Sequence, residues 1–314
     1  MISGDPGATQ PAAYKPITLL NIVRWARRTA AADRAQYHHE PRPVTFGRLC
    51  RALWPSLRRP IFVIGAPRSG TTFLGRCLSE LPELSYHFEP LVTKAATRYV
   101  YLGEWDDRWA CFFYRMVYRW LMRIHLDGDL RFAEKTPRNC WIVRFLRNSF
   151  PDAQFVHIVR DGRDVAVSLL QKPWVRRPYG RFWVPADSRA AYEAASDLER
   201  CIWAWRAFTE QAITDTEGLP STQYHELRYE ALATVPRETM EPLLDFLGID
   251  DPASRGRAID ASRDARPDSI GRWRQLDTDA VAAMRATAEP LLRRLGYVHD
   301  ADSPVDSASQ PCDH

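Results

Sequence analysis

Lysine is almost missing from this chain of 314 residues. Of 43 basic side chains only Lys15, Lys94, Lys135 and Lys172 are lysines. Beside many Ala and Asp, that imbalance reads as codon bias in a GC-rich genome, and it makes each lysine worth inspecting. No run of ~18 uncharged apolar residues occurs, which excludes a transmembrane helix. No charged start followed by an apolar block and a small-residue cleavage site is present, so no secretory leader is expected. The six cysteines, Cys50, Cys77, Cys111, Cys140, Cys201 and Cys312, form no C-x-x-C pair and accompany no His run. That leaves no metal site and no disulfide framework to be expected; most sit in apolar stretches and read as buried, reduced thiols. An excess of either charge is lacking too: 43 basic against 39 acidic side chains leaves +4, too little to argue for a nucleic-acid partner. The sequence fits a cytoplasmic globular protein of one large α/β domain or two small ones.

The first dozen residues, rich in Gly, Pro, Ala and Thr, are expected to be disordered. A helix follows from about Thr18 to Ala35. Its arginines and Trp25 suit peripheral membrane contact, but its short apolar face favours an accessory helix packed on the domain. Arg59-Pro60 then precedes Ile61-Phe62-Val63-Ile64, the continuous apolar run of a buried parallel strand. Past Gly65–Gly70, the residues Phe73, Leu74, Cys77, Leu78 and Leu81 share one helical face. Further helices are expected near Trp109–Ile124 and Cys140–Phe150, and a strand over Gln154–Val159 leads through Arg160-Asp161-Gly162-Arg163-Asp164 into a helix ending at Leu170. Tyr179–Asp187 reads as a loop. A long helix carries Trp203, Trp205 and Phe208, and Thr222–Leu227 reads as a strand. Helices over Pro236–Leu247 and Thr278–Leu295 stop at Gly248 and Gly296. The final fifteen residues are polar and expected to be mobile. Alternating strands and helices predict an α/β fold, a parallel sheet flanked by helices on both faces. The chain divides into an N-terminal extension (1–55), an α/β domain (56–298) and a polar tail (299–314).

Chemistry concentrates in three segments. Gly65-Ala66-Pro67-Arg68-Ser69-Gly70-Thr71-Thr72 has the G-x-x-x-x-G frame of a phosphate-binding loop, in which glycines let the backbone approach and helix-start N–H groups face an anion. The Lys that a nucleoside-triphosphate loop places next is replaced by Thr71, and the cation sits earlier, at Arg68. This favours a phosphate-bearing donor other than ATP–magnesium; a strand–helix turn without ligand is the alternative. Arg160, ending its strand, and Ser168, in the next helix, both reach the carboxyl edge of the sheet, where open α/β folds bind ligands. They could hold a second phosphate, or the segment could be a turn laced with surface salt bridges. Lys135, in Ala133-Glu134-Lys135-Thr136-Pro137-Arg138-Asn139, would by itself be a solvated loop lysine.

Taken together, these residues resemble the sulfotransferase superfamily, which uses 3′-phosphoadenosine 5′-phosphosulfate (PAPS) and releases adenosine 3′,5′-bisphosphate. The resemblance covers roughly Pro60–Tyr297. Pro67 through Thr72 looks like the 5′-phosphosulfate loop, and Arg160 through Ser168 like the 3′-phosphate motif, about ninety residues later. By that resemblance Arg68, Ser69, Gly70, Thr71 and Thr72 would bind the 5′-phosphosulfate. Phe73 would stand in for an adenine-stacking tryptophan, and Arg160 and Ser168 would bind the 3′-phosphate. Tyr229 would contact the nucleotide although Ala231 departs from the family's Tyr-Glu-Asp pattern, and Ser269-Ile270-Gly271-Arg272-Trp273-Arg274 resembles the late Gly-x-Trp segment. Arg266 is a further candidate 3′-phosphate ligand. Lys135 matches a lysine beside the transferring group.

The resemblance also implies a base. Cytosolic members use a histidine three residues after that lysine, where this chain has Arg138. Tyrosylprotein and carbohydrate-type members use a glutamate after the first helix, which Glu89 matches; His87 is the alternative. Arg68 and Lys135 would stabilise charge on the departing phosphate. The expected acceptor is a hydroxyl of a sugar, glycolipid or small molecule, and Trp105, Trp109, Trp174, Tyr179 and Trp183 could line its cleft or belong to the core. A P-loop kinase-like transferase and a catalytically silent nucleotide-binding protein are the competing classes. Replacing Lys135 by Arg keeps the charge but changes its reach and hydration. A large loss of turnover with an unchanged melting curve is expected; an unchanged rate would return Lys135 to composition bias.

Overall fold

Ile61-Phe62-Val63-Ile64 is apolar at every position, so it can only be a strand covered on both faces. In the computed structural model, which describes residues 17–37, 43–172, 183–185 and 187–298, this run is β1 (Ile61–Ile64), with no side chain exposed. Before it come α1 (Leu19–Tyr37) and α2 (Phe46–Leu53). After it follow α3 (Thr71–Ser79), β2 (Leu84–Phe88), α4 (Leu91–Tyr101), α5 (Asp107–His125), β3 (Arg131–Lys135), α6 (Val143–Ser149), β4 (Gln154–Val159) and α7 (Gly162–Leu170). The chain continues through α8 (Arg189–Ala194), α9 (Asp197–Thr216), β5 (Tyr224–Arg228), α10 (Tyr229–Thr234), α11 (Pro236–Leu247), α12 (Pro252–Ser262) and α13 (Thr278–Arg294). The expected disordered start, the polar tail and most of the Tyr179–Asp187 loop lie outside the described residues.

The five strands are all parallel, in the order β2-β3-β1-β4-β5. Strand side chains alternate between faces, and two cores result. Phe62, Ile64, Phe132 and Phe155 pack with α5, α6, α7, α9 and α13 on one face; Ile61, Val63, Ala133, Val156 and Ile158 pack with α3, α11 and α12 on the other. This is the expected α/β sheet with helices on both faces. β1 lies between β3 and β4, so the order reverses there and opens a crevice beyond the carboxyl ends of the strands. α1 buries Ala26 in the first core and packs on β2, α4 and α5. Among the described residues no helix is long and apolar enough to cross a membrane.

Three differences from the sequence reading stand out. β2 (Leu-Ser-Tyr-His-Phe) and β3 (Arg-Phe-Ala-Glu-Lys) are strands although polar side chains interrupt them. Ser85, His87 and Glu134 are fully buried, Ser85 and His87 bonding each other and Glu134 accepting from Asn139, so the apolar pattern that marks a buried strand is broken. Lys135 is therefore not a solvated loop lysine; it ends β3 with no surface exposed. The helix expected over Cys140–Phe150 is split into a 3₁₀ turn, Pro137–Trp141, and α6.

Gly162 opens α7 against the ring of Trp205, which donates from Nε1 to the Arg160 carbonyl at 3.1 Å. A Cβ at position 162 would lie 2.3 Å from that ring. Gly162→Ala is expected to lower unfolding free energy by about 1–3 kcal/mol, measured by denaturant titration. An unchanged midpoint would mean that the ring has room to retreat.

Candidate active site

Every sequence-selected candidate from the strands lies at a carboxyl end. The loop 65–70 follows β1, Glu89 follows β2, Lys135 ends β3, Arg160 follows β4 and Tyr229 follows β5. The loop is shaped by two glycines at positive φ, Gly65 (148°) and Gly70 (94°). A Cβ on Gly70 would fall 2.4 Å from the Tyr229 ring, so only glycine lets the turn sit against it. Gly70 caps α3 without a side-chain bond, leaving the first-turn N–H groups to face an anion.

Arg68 donates from Nε to Ser168 Oγ at 3.0 Å. Arg160 donates to the Arg68 carbonyl (3.2 Å) and to the Ser269 carbonyl (2.6 Å), and its guanidinium lies 4.3 Å from the centre of the Tyr229 ring. Tyr229 in turn bonds Ser269 Oγ at 2.9 Å. Burial, and then the neighbouring Arg160, lower the Arg68 pKa: the two cations repel each other in a partly desolvated place. Ser69 Oγ and Arg160 Nε are buried and have no hydrogen-bond partner among the described residues. Unspent O–H and N–H donors between repelling cations suit an anion with several oxygens, and this donor set fits a phosphorylated nucleotide. Asp161-Gly162-Arg163-Asp164 is no surface turn. Arg163 pairs with Asp161 at 2.7 Å, both nearly buried, and Asp164 accepts from the Gly271 and Trp273 N–H groups, tying the late Gly-x-Trp segment to α7.

The second half of the site gathers around Glu89. Lys135 Nζ lies 2.5 Å from Glu89 Oε1 and 3.0 Å from Thr72 Oγ1, and 4.1 Å from the centre of the Phe88 ring. Lys94 Nζ bonds the other carboxylate oxygen of Glu89. Burial works to raise the Glu89 carboxyl, but Lys135 and Lys94 outweigh it and hold the group below the usual carboxylate range. Burial lowers the Lys135 ammonium, an effect Glu89 opposes. Behind Lys135, Glu134 accepts from Tyr118, from Asn139 at 2.8 Å and from Thr136 at 3.0 Å, fixing the turn after β3; burial raises its carboxyl. His87 is kept away: its ring contacts Asp33 Oδ2 (2.7 Å) and Ser85 Oγ (3.0 Å) with no exposed surface.

These groups surround one cavity of about 1030 Å³. Its wall includes Arg68, Gly70, Thr71, Thr72, Phe73, Arg160, Tyr229 and Arg266, together with Glu89, Trp183, Tyr192 and Phe208. Trp105 is not in its wall but packs on Tyr99 and Phe113, and Trp109 is a half-exposed residue of α5. Trp174 and Tyr179 fall outside the described residues. Lys94 and Lys172, set aside as composition bias, both line the cavity. Lys94 was missed because nothing in Leu91-Val92-Thr93-Lys94 marks it; its signal was rarity.

The model of the sulfotransferase family matches residues 60–253. Protein-tyrosine sulfotransferase A of Caenorhabditis elegans is 25% identical over 278 residues, 78% of this chain and 68% of that protein. Nodulation protein NoeE of Sinorhizobium fredii is 25% identical over 251 residues, 70% of this chain and 57% of that one. The crystal structure of sulfotransferase STF9 from Mycobacterium avium superposes with a TM-score of 0.50 at 16% identity, covering 87% of this chain and 84% of that chain, a likeness of fold.

Lys94 favours the ionised form of Glu89, so removing it must raise the carboxyl pKa. In Lys94→Gln the Glu89 midpoint, followed by carboxyl-carbon NMR, is expected to move up toward the ordinary carboxylate range. A midpoint that stays put would assign the whole depression to Lys135.

Proposed function

The chain belongs to the sulfotransferase family, and on that premise we propose that it moves a sulfuryl group from PAPS to a hydroxyl of a carbohydrate, glycolipid or small-molecule acceptor, with Glu89 as general base. The observation that carries this reading is the meeting of two groups at one ammonium: Lys135 Nζ bonds the Glu89 carboxylate and the Thr72 hydroxyl beside the phosphate loop together. A base, a compact cation and an anion-binding loop are thereby within reach of one transferring group. When bound, PAPS supplies an activated sulfuryl group on a phosphate leaving group. Arg68, Ser69, Gly70, Thr71 and Thr72 would hold its 5′ end, Arg160, Ser168 and Arg266 its 3′-phosphate, and Phe73 and Tyr229 the nucleoside. No metal is called on.

Glu89 paired with two lysines is a weak base. Lys135 turning toward a bound phosphosulfate leaves Glu89 with less counter-charge, and its proton affinity rises as the donor arrives. Glu89 then takes the acceptor hydroxyl proton while Arg68 and Lys135 stabilise the charge growing on the leaving phosphate. The aromatic part of the cavity lining, Trp183, Tyr192 and Phe208, suits a sugar ring or an apolar metabolite. The reading includes a catalytic unit over 56–298 and a cytoplasmic location, supported by free cysteines at Cys50, Cys77, Cys111, Cys140 and Cys201.

Two measurements test this. Adenosine 3′,5′-bisphosphate is expected to raise the melting temperature and ATP–magnesium to leave it unchanged; the reverse would favour a kinase-like transferase. Labelled sulfate from PAPS is expected to enter sugars or lipids of a cell extract, with a tyrosine peptide run alongside, and Glu89→Gln is expected to slow transfer by ~10²–10⁴-fold. Bisphosphate binding without any transfer would mark a silent binding protein.

A further inference from the structure

Glu89 is a non-glycine residue at φ 41°, in the left-handed region where a side chain is strained. Such a conformation persists only where its surroundings over-determine it. The next residue, Pro90, has no N–H, so between Phe88 and Leu91 the backbone offers three donors. All three bond outside the segment. The Glu89 N–H goes to the Lys135 carbonyl at 2.9 Å. The other two go to one helix: Phe88 N–H to Asp33 Oδ1 and Leu91 N–H to Thr29 Oγ1, each at 3.1 Å.

Thr29 and Asp33 are four residues apart on α1 and so lie on one face of it. Asp33 is fully buried and Thr29 nearly so. Pro90 caps α4 without a side-chain bond, so Thr29 supplies the missing cap from another element. The second oxygen of Asp33 meets His87 Nδ1 at 2.7 Å, and His87 Nε2 meets Ser85 Oγ at 3.0 Å. Ser85 donates to Asp127 at 3.0 Å, and Asp127 faces Arg48 of α2 at 3.6 Å. Ser85, His87 and Asp33 thus stand in the order of a nucleophile, base and carboxylate, yet none has exposed surface, so no substrate reaches them and the chain can only brace. α1 and α2 both precede residue 60, where the family match begins.

We propose that Thr29 and Asp33 are positioning residues for Glu89: α1 clamps both sides of the strained residue and sets where its carboxylate points. This rests on the reading of Glu89 as the base. It makes the N-terminal extension a working part of the enzyme rather than an appendage.

Thr29→Val replaces the hydroxyl by a methyl of nearly the same size, and Thr29→Ser restores the acceptor. In Thr29→Val the Leu91 amide is expected to exchange with deuterium roughly tenfold faster or more. Sulfate transfer from labelled PAPS into the cell extract should fall by roughly tenfold to a hundredfold, while affinity for adenosine 3′,5′-bisphosphate changes less than about twofold. Thr29→Ser should recover both exchange and rate. Asp33→Ala should show the same pattern at the Phe88 amide; should it fail to fold, the Thr29 pair decides alone. A full rate in Thr29→Val beside an inactive Glu89→Gln would overturn the clamp and leave the base in place. A full rate in Glu89→Gln would overturn the base assignment and the clamp's catalytic role with it. A loss in Thr29→Val that Thr29→Ser does not repair would reduce Thr29 to packing.

Discussion

An ammonium with no exposed surface needs a counter-charge in contact with it, and much of the site follows from how Lys135 meets that need. Register pairs Lys135 of β3 with Phe88 of β2, so the residue after β2 is the first that can reach around to the ammonium. That residue is Glu89, whose N–H bonds the Lys135 carbonyl while its carboxylate meets the Lys135 side chain. One residue is thus joined to Lys135 by backbone and side chain at once, and a positive φ is the conformation in which it does both. The Phe88 ring closes over the same ammonium. Moving either strand by one residue would put a different side chain at the ammonium and leave two charges buried without each other.

The other half of the cavity is organised on the opposite principle. Arg68 and Arg160 bond to neutral acceptors among the described residues: a serine hydroxyl and two backbone carbonyls, with the Tyr229 ring against Arg160. Neutral partners fix geometry without cancelling charge. In the Lys135–Glu89–Lys94 cluster one carboxylate offsets one of the two ammonium charges, whereas the charges of Arg68 and Arg160 are offset by none of these partners, a surplus that an anion would relieve. On the proposed reading, the arginines hold phosphate and the proton chemistry falls to the carboxylate.

How legible this was differs by element. β1 and β4 could be read because both faces are apolar, and α11 and α13 because Gly248 and Gly296 stop them at positive φ. The anion loop was legible because its function needs glycines at fixed positions, and its partner Ser168 because it follows Arg160 by two helical turns. β2 and β3 were not legible. Their inward side chains are Ser85, His87 and Glu134, which burial tolerates because Asp33, Asp127 and Tyr118 are brought to them from distant positions, while Asn139 turns back onto Glu134 from the turn after β3. The distant partners leave no mark on the strands themselves. For the same reason Thr29 and Asp33 looked like ordinary polar positions of an amphipathic helix.

Lysine's scarcity has a physical reading beyond codon bias. Where a cation only has to be present, arginine serves, and 43 basic positions include four lysines. Arg160 shows what a guanidinium does well: a planar fork meeting two carbonyls while stacked on a ring, a fixed holder. The space beside Glu89 asks for something else. Two ammonium groups meet the two oxygens of one carboxylate, with the Phe88 ring and Thr72 beside Lys135, and on the proposed mechanism Lys135 trades the carboxylate for a phosphate oxygen. A compact ammonium on a flexible stem can do this without dragging a plane through the pocket. Lys94 and Lys172 line this cavity and Lys135 bonds Glu89 in its wall; Lys15 lies outside the described residues. In a chain that otherwise writes its positive charge as arginine, a lysine marks a place where the size and mobility of the charge matter as much as its sign.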